Sequence, residues 1–281
     1  MKNIVKFSTS TSSAEPQQPN FENPALIVGW DKDAGQLSPK VIDYVNKKIN
    51  SKSFCEIEPT DFFPLAGVTI EKDIAQFPEG KFYCGQRNDL VIFKGTEPGF
   101  ERYRFLNGIC DLAQRHCKIK HLYTISGTIS STAHTEPRRI WAVFNQQEFQ
   151  KQLRGFGLKD MTWEGKPAIS SFLLWVAQRK GVPAVSLWTQ IPFYLAASED
   201  FQAIKLTLSF LDRRFNLELD FKELDEQIAE QDKKIDQLRQ EDSEINRYIG
   251  ALENGLSLSE EEQLELIKAV TEILEFGKNL A

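Results

Sequence analysis

The chain has 281 residues, 41% hydrophobic and 26% charged, which suits one large core or a core plus an appendage. Its net charge of −6 is unevenly spread: from Asn216 onward 18 acids face 7 bases, a net of −11, while the preceding part is net +5. Such an acidic end repels nucleic acid and anionic membrane, and no apolar run approaches the roughly 20 residues of a membrane span. Neither partner is therefore expected. Cys55, Cys84, Cys110 and Cys117 contain no C-x-x-C pair, so free thiols are expected and a metal site is not. Met1 to Asn20 lacks a signal-peptide apolar core, and a cytoplasmic location is expected.

In chain order, residues 1–20 are rich in Ser, Thr, Pro and Gln and predict a disordered arm. Ala25-Leu26-Ile27-Val28 predicts a buried strand that stops at Gly29. Ser38-Pro39 predicts a helix start, with Ser38 as N-cap and an apolar stripe of Val41, Ile42, Val45 and Ile49. Cys55 to Gly85 is irregular and fits a small antiparallel extension. Leu90 to Phe93 predicts a second strand and Phe100 to Lys118 a helix. Leu122 to Ile125 predicts a third strand ending at Ser126-Gly127, and Ile140 to Phe144 a fourth. Pro167 to Lys180 predicts a helix that is apolar on most faces and so largely buried. A strand over Pro183 to Trp188 follows. Alternating strands and helices predict a mostly parallel sheet covered on both faces.

After Ser198 the period changes. Phe201, Ile204, Leu208, Leu211 and Phe215 lie on one helix face. A heptad then runs through Phe221, Leu224, Ile228, Gln231, Ile235, Leu238, Asp242, Ile245, Ile249 and Leu252, with Gln231 and Asp242 breaking the seam. Asn254-Gly255 stops it. Ser259 with Glu262 forms a capping box for a further helix, with Leu264, Ile267, Thr271 and Leu274 predicted to face inward. The expected organisation is an arm over 1–20, an α/β core over 21–215, and an acidic helical hairpin over 216–281. That hairpin serves equally well as an appendage or as a partner-binding surface.

Open α/β sheets bind ligands at the carboxyl ends of their strands. Four segments fall there: Gly29 to Gly35, Ser126 to Thr135, Glu164 to Pro167 with Ser170 and Ser171 beyond, and Thr189 to Tyr194. The candidate crevice residues are Gly29, Trp30, Asp33, Gly35, Gly127, Ser131, His134, Thr135, Arg138, Ser170, Ser171, Gln190 and Tyr194. Ser131 with His134 has the residue types of a nucleophile and base, but there is no G-x-S-x-G elbow and no third partner. There is no Walker lysine, no G-x-G-x-x-G and no second histidine at ligand spacing, so no catalytic residue, metal or cofactor is assigned. A lone loop histidine is more often structural than catalytic.

Several stretches resemble the proteasome assembly chaperone 2 family. They are Gly29-Trp30 with Asp33-Ala34-Gly35, Tyr123-Thr124-Ile125-Ser126-Gly127, His134-Thr135 with Pro137-Arg138, Ile169 to Leu174, Gly181 to Trp188, and Ile191-Pro192-Phe193-Tyr194-Leu195-Ala196. The resemblance spans about Pro24 to Phe215. It implies a three-layer α/β/α domain similar to nucleoside phosphorylases, a non-catalytic assembly or protein-binding role, and a homo-oligomer such as a trimer. Some members carry an ATP-grasp label, for which this sequence has no motif. A small-ligand protein or enzyme using the crevice is the competing expectation. Two departures stand out. Proteasome-binding relatives often end in hydrophobic-Tyr-any residue, whereas Leu280 stands at the tyrosine position here, which weakens the expectation of proteasome docking. Glu136 stands where many relatives carry a basic residue, which weakens that of a shared anion site.

Overall fold

A computed structural model describes residues 5–7, 21–64, 69–71, 73–85, 89–166 and 168–276. The elements in order are β1 (Val5–Phe7), β2 (Ala25–Trp30), α1 (Leu37–Lys48), β3 (Lys52–Ile57), β4 (Thr69–Glu71), β5 (Ile74–Gln76), β6 (Gly80–Cys84) and β7 (Leu90–Gly95). Then come α2 (Arg102–Cys117), β8 (His121–Ser130), β9 (Ile140–Phe144), α3 (Gln147–Leu153), β10 (Lys159–Asp160), α4 (Ile169–Arg179) and β11 (Ala184–Pro192). Helices α5 (Phe201–Phe215), α6 (Lys222–Glu241), α7 (Ser243–Glu253) and α8 (Glu260–Phe276) complete the chain.

Among the described residues, nine strands form one sheet in the order β1-β3-β6-β7-β2-β8-β11-β9-β10, and β4-β5 is a separate hairpin. Strands β7, β2, β8 and β11 are mutually parallel, as the apolar runs linked by helices predict. The flanks are antiparallel: β6 on β7, β3 on β6, and β9 on β11. The fold is thus α/β with a mixed sheet. Alternation along β2 sends Ala25 and Ile27 to one apolar layer and Leu26, Val28 and Trp30 to the other. Helices α1, α3 and α5 cover the first face, and α2 and α4 cover the second.

Four expectations about residues 1–198 need correction. Val5–Phe7, within the arm, form a strand because their backbone groups pair with the edge strand β3. Ser38 is not an N-cap: it lies inside α1, and its Oγ accepts the Trp30 N–H (2.9 Å). Strand β8 does not stop at Gly127 but runs on to Ser130, held by a continuous register with β11 from Leu122↔Ala184 to Ser130↔Pro192. The helix over 169–179 is only partly covered, with Phe172 and Trp175 exposed; the expected start at Pro167 lies outside the described residues.

The acidic end is three helices, not two. Asp242 breaks the heptad because its Oδ1 accepts the N–H groups of Glu244 (2.9 Å) and Ile245 (3.2 Å), which ends α6 and starts α7. Gln231 interrupts the seam without ending the helix, since its buried Nε2 donates to the Glu199 carbonyl (2.7 Å). The Ser259–Glu262 capping box is formed in both directions. The inward stripe of α8 is Leu266, Val270 and Leu274; Leu264, assigned to it from spacing, is 66% exposed. Leu224, Ile235, Ile249 and Leu266 belong to the same apolar layer as the sheet and α1, so the seam is buried within the chain.

Ile235 has no exposed surface. Ile235→Asp is expected to cost about 4 kcal/mol, because it loses apolar burial and strands a charge. Urea unfolding of the two proteins checks this; equal midpoints would refute the burial of the seam.

Candidate functional site

Strand β2 pairs with β8 only from Ala25↔His121 to Val28↔Thr124, although it stays paired with β7 as far as Trp30↔Gly95. Beyond Thr124 strand β8 follows β11 instead. The two central strands therefore part at their carboxyl ends, where an open α/β sheet admits a ligand. Here the gap is closed by the chain itself. The loop after β2 turns back through Gly35, whose φ of +65° is the left-handed conformation that glycine tolerates. That turn places both carboxylate oxygens of Asp33 at 2.9 Å from the Gly127 N–H, and Oδ2 also accepts the Ser38 N–H (3.0 Å). The Ala34 carbonyl packs against Gly127 so closely that a Cβ there would meet its oxygen at 2.5 Å.

On the other side of the gap Trp30 is buried. Its Nε1 donates to Ser170 Oγ (3.3 Å), and the Ser170 and Ser126 hydroxyls are 3.1 Å apart. Gly29 lies directly beneath Ser38 and Ile42 of α1. Burial pushes the Asp33 carboxyl up to about 6, against the lowering effect of the N–H groups it accepts.

A second polar group forms where β8 leads into β9. Tyr194 Oη lies 2.5 Å from the His134 backbone N, which donates to it, and 2.9 Å from Nδ1. Arg138 donates through Nε to Asp200 Oδ2 (2.8 Å) and through Nη1 to the carbonyls of Ala133, His134 and Glu136. Asp200 also caps α5, accepting the Ala203 N–H (3.0 Å). Thr135, exposed, donates to Glu253 Oε1 (3.0 Å), which with Oε2 also holds Arg239. Burial, together with the Arg138 and Arg239 guanidiniums, holds the His134 imidazole down at about 4.

The structure thus joins Trp30, Asp33, Gly35, Gly127 and Ser170 around the split, and His134, Arg138 and Tyr194 beside it. Gln190 bonds Ser130 Oγ (3.0 Å), Ser171 is half-buried in the first turn of α4, and Ser131 is exposed. His134 directs Nδ1 to Tyr194 rather than to Ser131, so the pair does not have the geometry of a nucleophile and base. Surface depressions occur elsewhere, for example one of about 330 Å³ between α5, α6 and α8 lined by Ser198, Phe201, Gln231 and Leu274.

Sequence reasoning missed Asp200, and it read Ser38 as a cap rather than as an acceptor for the Trp30 N–H. Asp200 had a signal: an aspartate immediately before an apolar-periodic helix is an N-cap pattern. It also missed an aromatic surface on α2 and α4. Phe100 just before α2, Tyr103 on α2, and Phe172 and Trp175 on α4 are exposed, and the rings of Tyr103 and Trp175 lie 5.5 Å apart.

A mixed-sheet α/β domain with this closed crevice and a helical end defines the class. The chain belongs to the PAC2 family, whose model matches residues 26–239. Similar solved structures include a protein of unknown function from Corynebacterium glutamicum (TM-score 0.74, 18% identity, 90% of this chain and 96% of that one). A PAC2 family protein from Streptomyces avermitilis aligns with TM-score 0.68 at 20% identity, over 80% of this chain and 99% of that one. PbaB of Pyrococcus furiosus, an archaeal proteasome activator, aligns with TM-score 0.66 at 18% identity, over 84% and 98%. At these identities the likeness is one of fold. No curated protein sequence matches the chain. No helix among the described residues is long and apolar enough to cross a membrane.

Gly127→Ala is expected to cost about 1–3 kcal/mol, since the new methyl meets backbone oxygen rather than a movable side chain. Thermal unfolding checks this, and an unchanged midpoint would refute the tight closure.

His134 gives a pH signature. Its folded pKa of about 4 lies below the ordinary 6.5, so its contribution is fully present above pH 6.5 and is lost as pH falls toward 4. Asp33 acts in the opposite sense: its raised pKa costs stability as pH climbs from 3.8 to about 6. The difference in stability between wild type and His134→Asn isolates the histidine. It is expected to shrink by roughly 3 kcal/mol between pH 7 and pH 4, and a pH-independent difference would refute the assignment.

Proposed function

We propose that the chain is a non-catalytic protein-binding member of its family, acting as an assembly factor and self-associating as a homo-oligomer, with a trimer as the state that the family resemblance implies. One observation carries this reading: the polar groups at the carboxyl ends of β2 and β8 bond one another. Asp33 is committed to Gly127 and Ser38, Trp30 to Ser170, and His134 to Tyr194. A catalytic site needs groups aimed at a vacant position where a reacting atom sits, and these groups aim at each other. The exposed aromatic rings of α2 and α4 offer what an assembly factor needs, an apolar surface that another protein can bury. Family membership and the fold shared with a proteasome activator support the same reading.

The purified chain is expected to scatter light as an oligomer at micromolar concentration. It is expected to show no thermal stabilisation by nucleosides, nucleotides or phosphate. A ligand at a hundredfold excess over its Kd adds about 2.7 kcal/mol, which is on the order of 5 °C or more for a chain of this size. A shift of that size that disappears in His134→Ala would overturn the non-catalytic reading in favour of a ligand-binding crevice.

A further inference from the structure

Both outermost strands of the nine-stranded sheet are short. At one edge β10 is only Lys159–Asp160, two charged and exposed residues. At the other edge β1 lies antiparallel on β3 in the register Val5↔Ile57, Lys6↔Glu56 and Phe7↔Cys55. Beneath it β3 is six residues long and reads Lys-Ser-Phe-Cys-Glu-Ile. An edge strand of that length, with Phe54, Cys55 and Ile57 in it, is a template on which another chain can pair. Two features blunt it. The register of β3 on β6 shifts between Ser53 and Cys55, and such an irregularity spoils the first half of the strand as a template. Strand β1 covers Cys55, Glu56 and Ile57, the regular half beyond that shift.

We propose that β1 is a detachable guard strand, which denies the regular half of the β3 edge to other polypeptides and exposes it on leaving. The device is independent of the assembly role proposed above. Its attachment is shallow and its tether is long. Three residues on an edge make only a few ladder bonds, and short pairings of this kind are marginal in water. Strand β3 runs parallel to β2, as the antiparallel steps through β6 and β7 require, so β1 ends on the side of the sheet where β2 begins. The two strands stand four positions apart, which is about 19 Å at about 4.8 Å per strand. The 13-residue linker over 8–20 can extend to about 43 Å, more than twice that distance. Strand β1 can therefore leave and return while β2 stays in place. A tethered strand also remains at an effective concentration on the order of millimolar. Three pairings then suffice against dilute competitors, and a segment that takes the edge must be concentrated or must make more pairings than β1 does.

Two full-length variants test the guard from opposite directions. Lys6→Pro combined with Phe7→Pro releases it. Successive N–H groups of a strand point to opposite sides, so the pair of prolines removes a ladder donor whichever residue faces β3. Phe7→Cys locks it, because Cys55 is the residue opposite. Directly opposed antiparallel residues have Cα atoms about 4.5–5.5 Å apart, within the disulfide range of about 4.4–6.8 Å, and peptide mapping reports the bond. The probe is a labelled synthetic peptide with the sequence of residues 3–9, followed by fluorescence anisotropy, with amide hydrogen exchange over Lys52–Ile57 as the second readout. The released variant is expected to keep the wild-type Tm, to exchange faster over Cys55–Ile57, and to bind the peptide at least about tenfold more tightly than wild type, since an attached guard leaves few chains competent. Bound peptide is expected to slow that exchange again. The locked form is expected to bind no peptide, and binding to appear on reduction. Should the prolines lower the Tm, the locked variant, oxidised against reduced, carries the test alone. Equal peptide binding by wild type and by the released and locked forms would overturn the guard. A released variant that binds no peptide, or whose Cys55–Ile57 amides exchange as in wild type, would overturn it as well.

Discussion

Where β2 and β8 stop pairing, beyond Val28 and Thr124, the backbone N–H groups of Trp30 and Gly127 lose the sheet as a partner. Buried N–H groups left without acceptors are costly, so something in the interior must supply them. Ser38 Oγ takes the first and the Asp33 carboxylate the second. Both acceptors come from the single loop and first helical turn that follow β2. The tight return through Gly35, the seating of α1 on Gly29 and the closeness of the Ala34 carbonyl to Gly127 are consequences of that need. A carboxylate held by N–H donors in a largely dry setting has its ionised form favoured by the bonds and opposed by the burial. The raised pKa of Asp33 shows that burial is the larger effect.

The Arg138–Asp200 pair braces the neighbouring loops by the same logic. Its two side chains are 2% and 1% exposed. Placing two charges in such a site repays the loss of water only if the remaining donors and acceptors are also used. They are: Arg138 gathers three carbonyls from its own loop, and Asp200 caps α5. The Gly35 carbonyl also accepts the Asp200 N–H (3.0 Å), which ties this brace to the first. Thr135 then hands the connection to Glu253 and Arg239, so the acidic helices are anchored to the core by polar bonds as well as by Ile235 and Ile249.

Local signals in the sequence reported the elements well and their ends poorly. The apolar runs at Ala25 and Leu90 and the 3–4 spacing from Phe201 to Phe215 name their own structures, because burial on both faces of a sheet or along one face of a helix writes a period into the chain. Ser38 reads as a cap from its neighbours, yet it sits inside α1 because the unpaired Trp30 N–H needs its hydroxyl. The extra length of β8 is set by β11, 62 residues away at Leu122↔Ala184, which no local pattern carries. Leu264 was placed inward because its spacing fits the stripe as well as Leu266 does. Only the position of α8 on α6 and on the turn at Phe193 decides between the two registers. Of the candidate residues, the types and the strand ends were legible, but their mutual bonding was not, since it depends on the splay between β2 and β8.

Those bonds also shift attention from the interior to the surface. A family fold with polar residues at the carboxyl ends of parallel strands invites a search for substrate there, and fold alone does not settle function. In this chain Asp33, Trp30, His134 and Tyr194 bond to partners within the chain, while the rings of Tyr103, Phe172 and Trp175 are exposed at the surface. Buried polar networks that are fully satisfied rigidify a domain, and a rigid domain presents its outer helices in fixed positions. The closed centre and the open aromatic surface are therefore two sides of one design, in which the polar interior fixes the faces that meet other proteins.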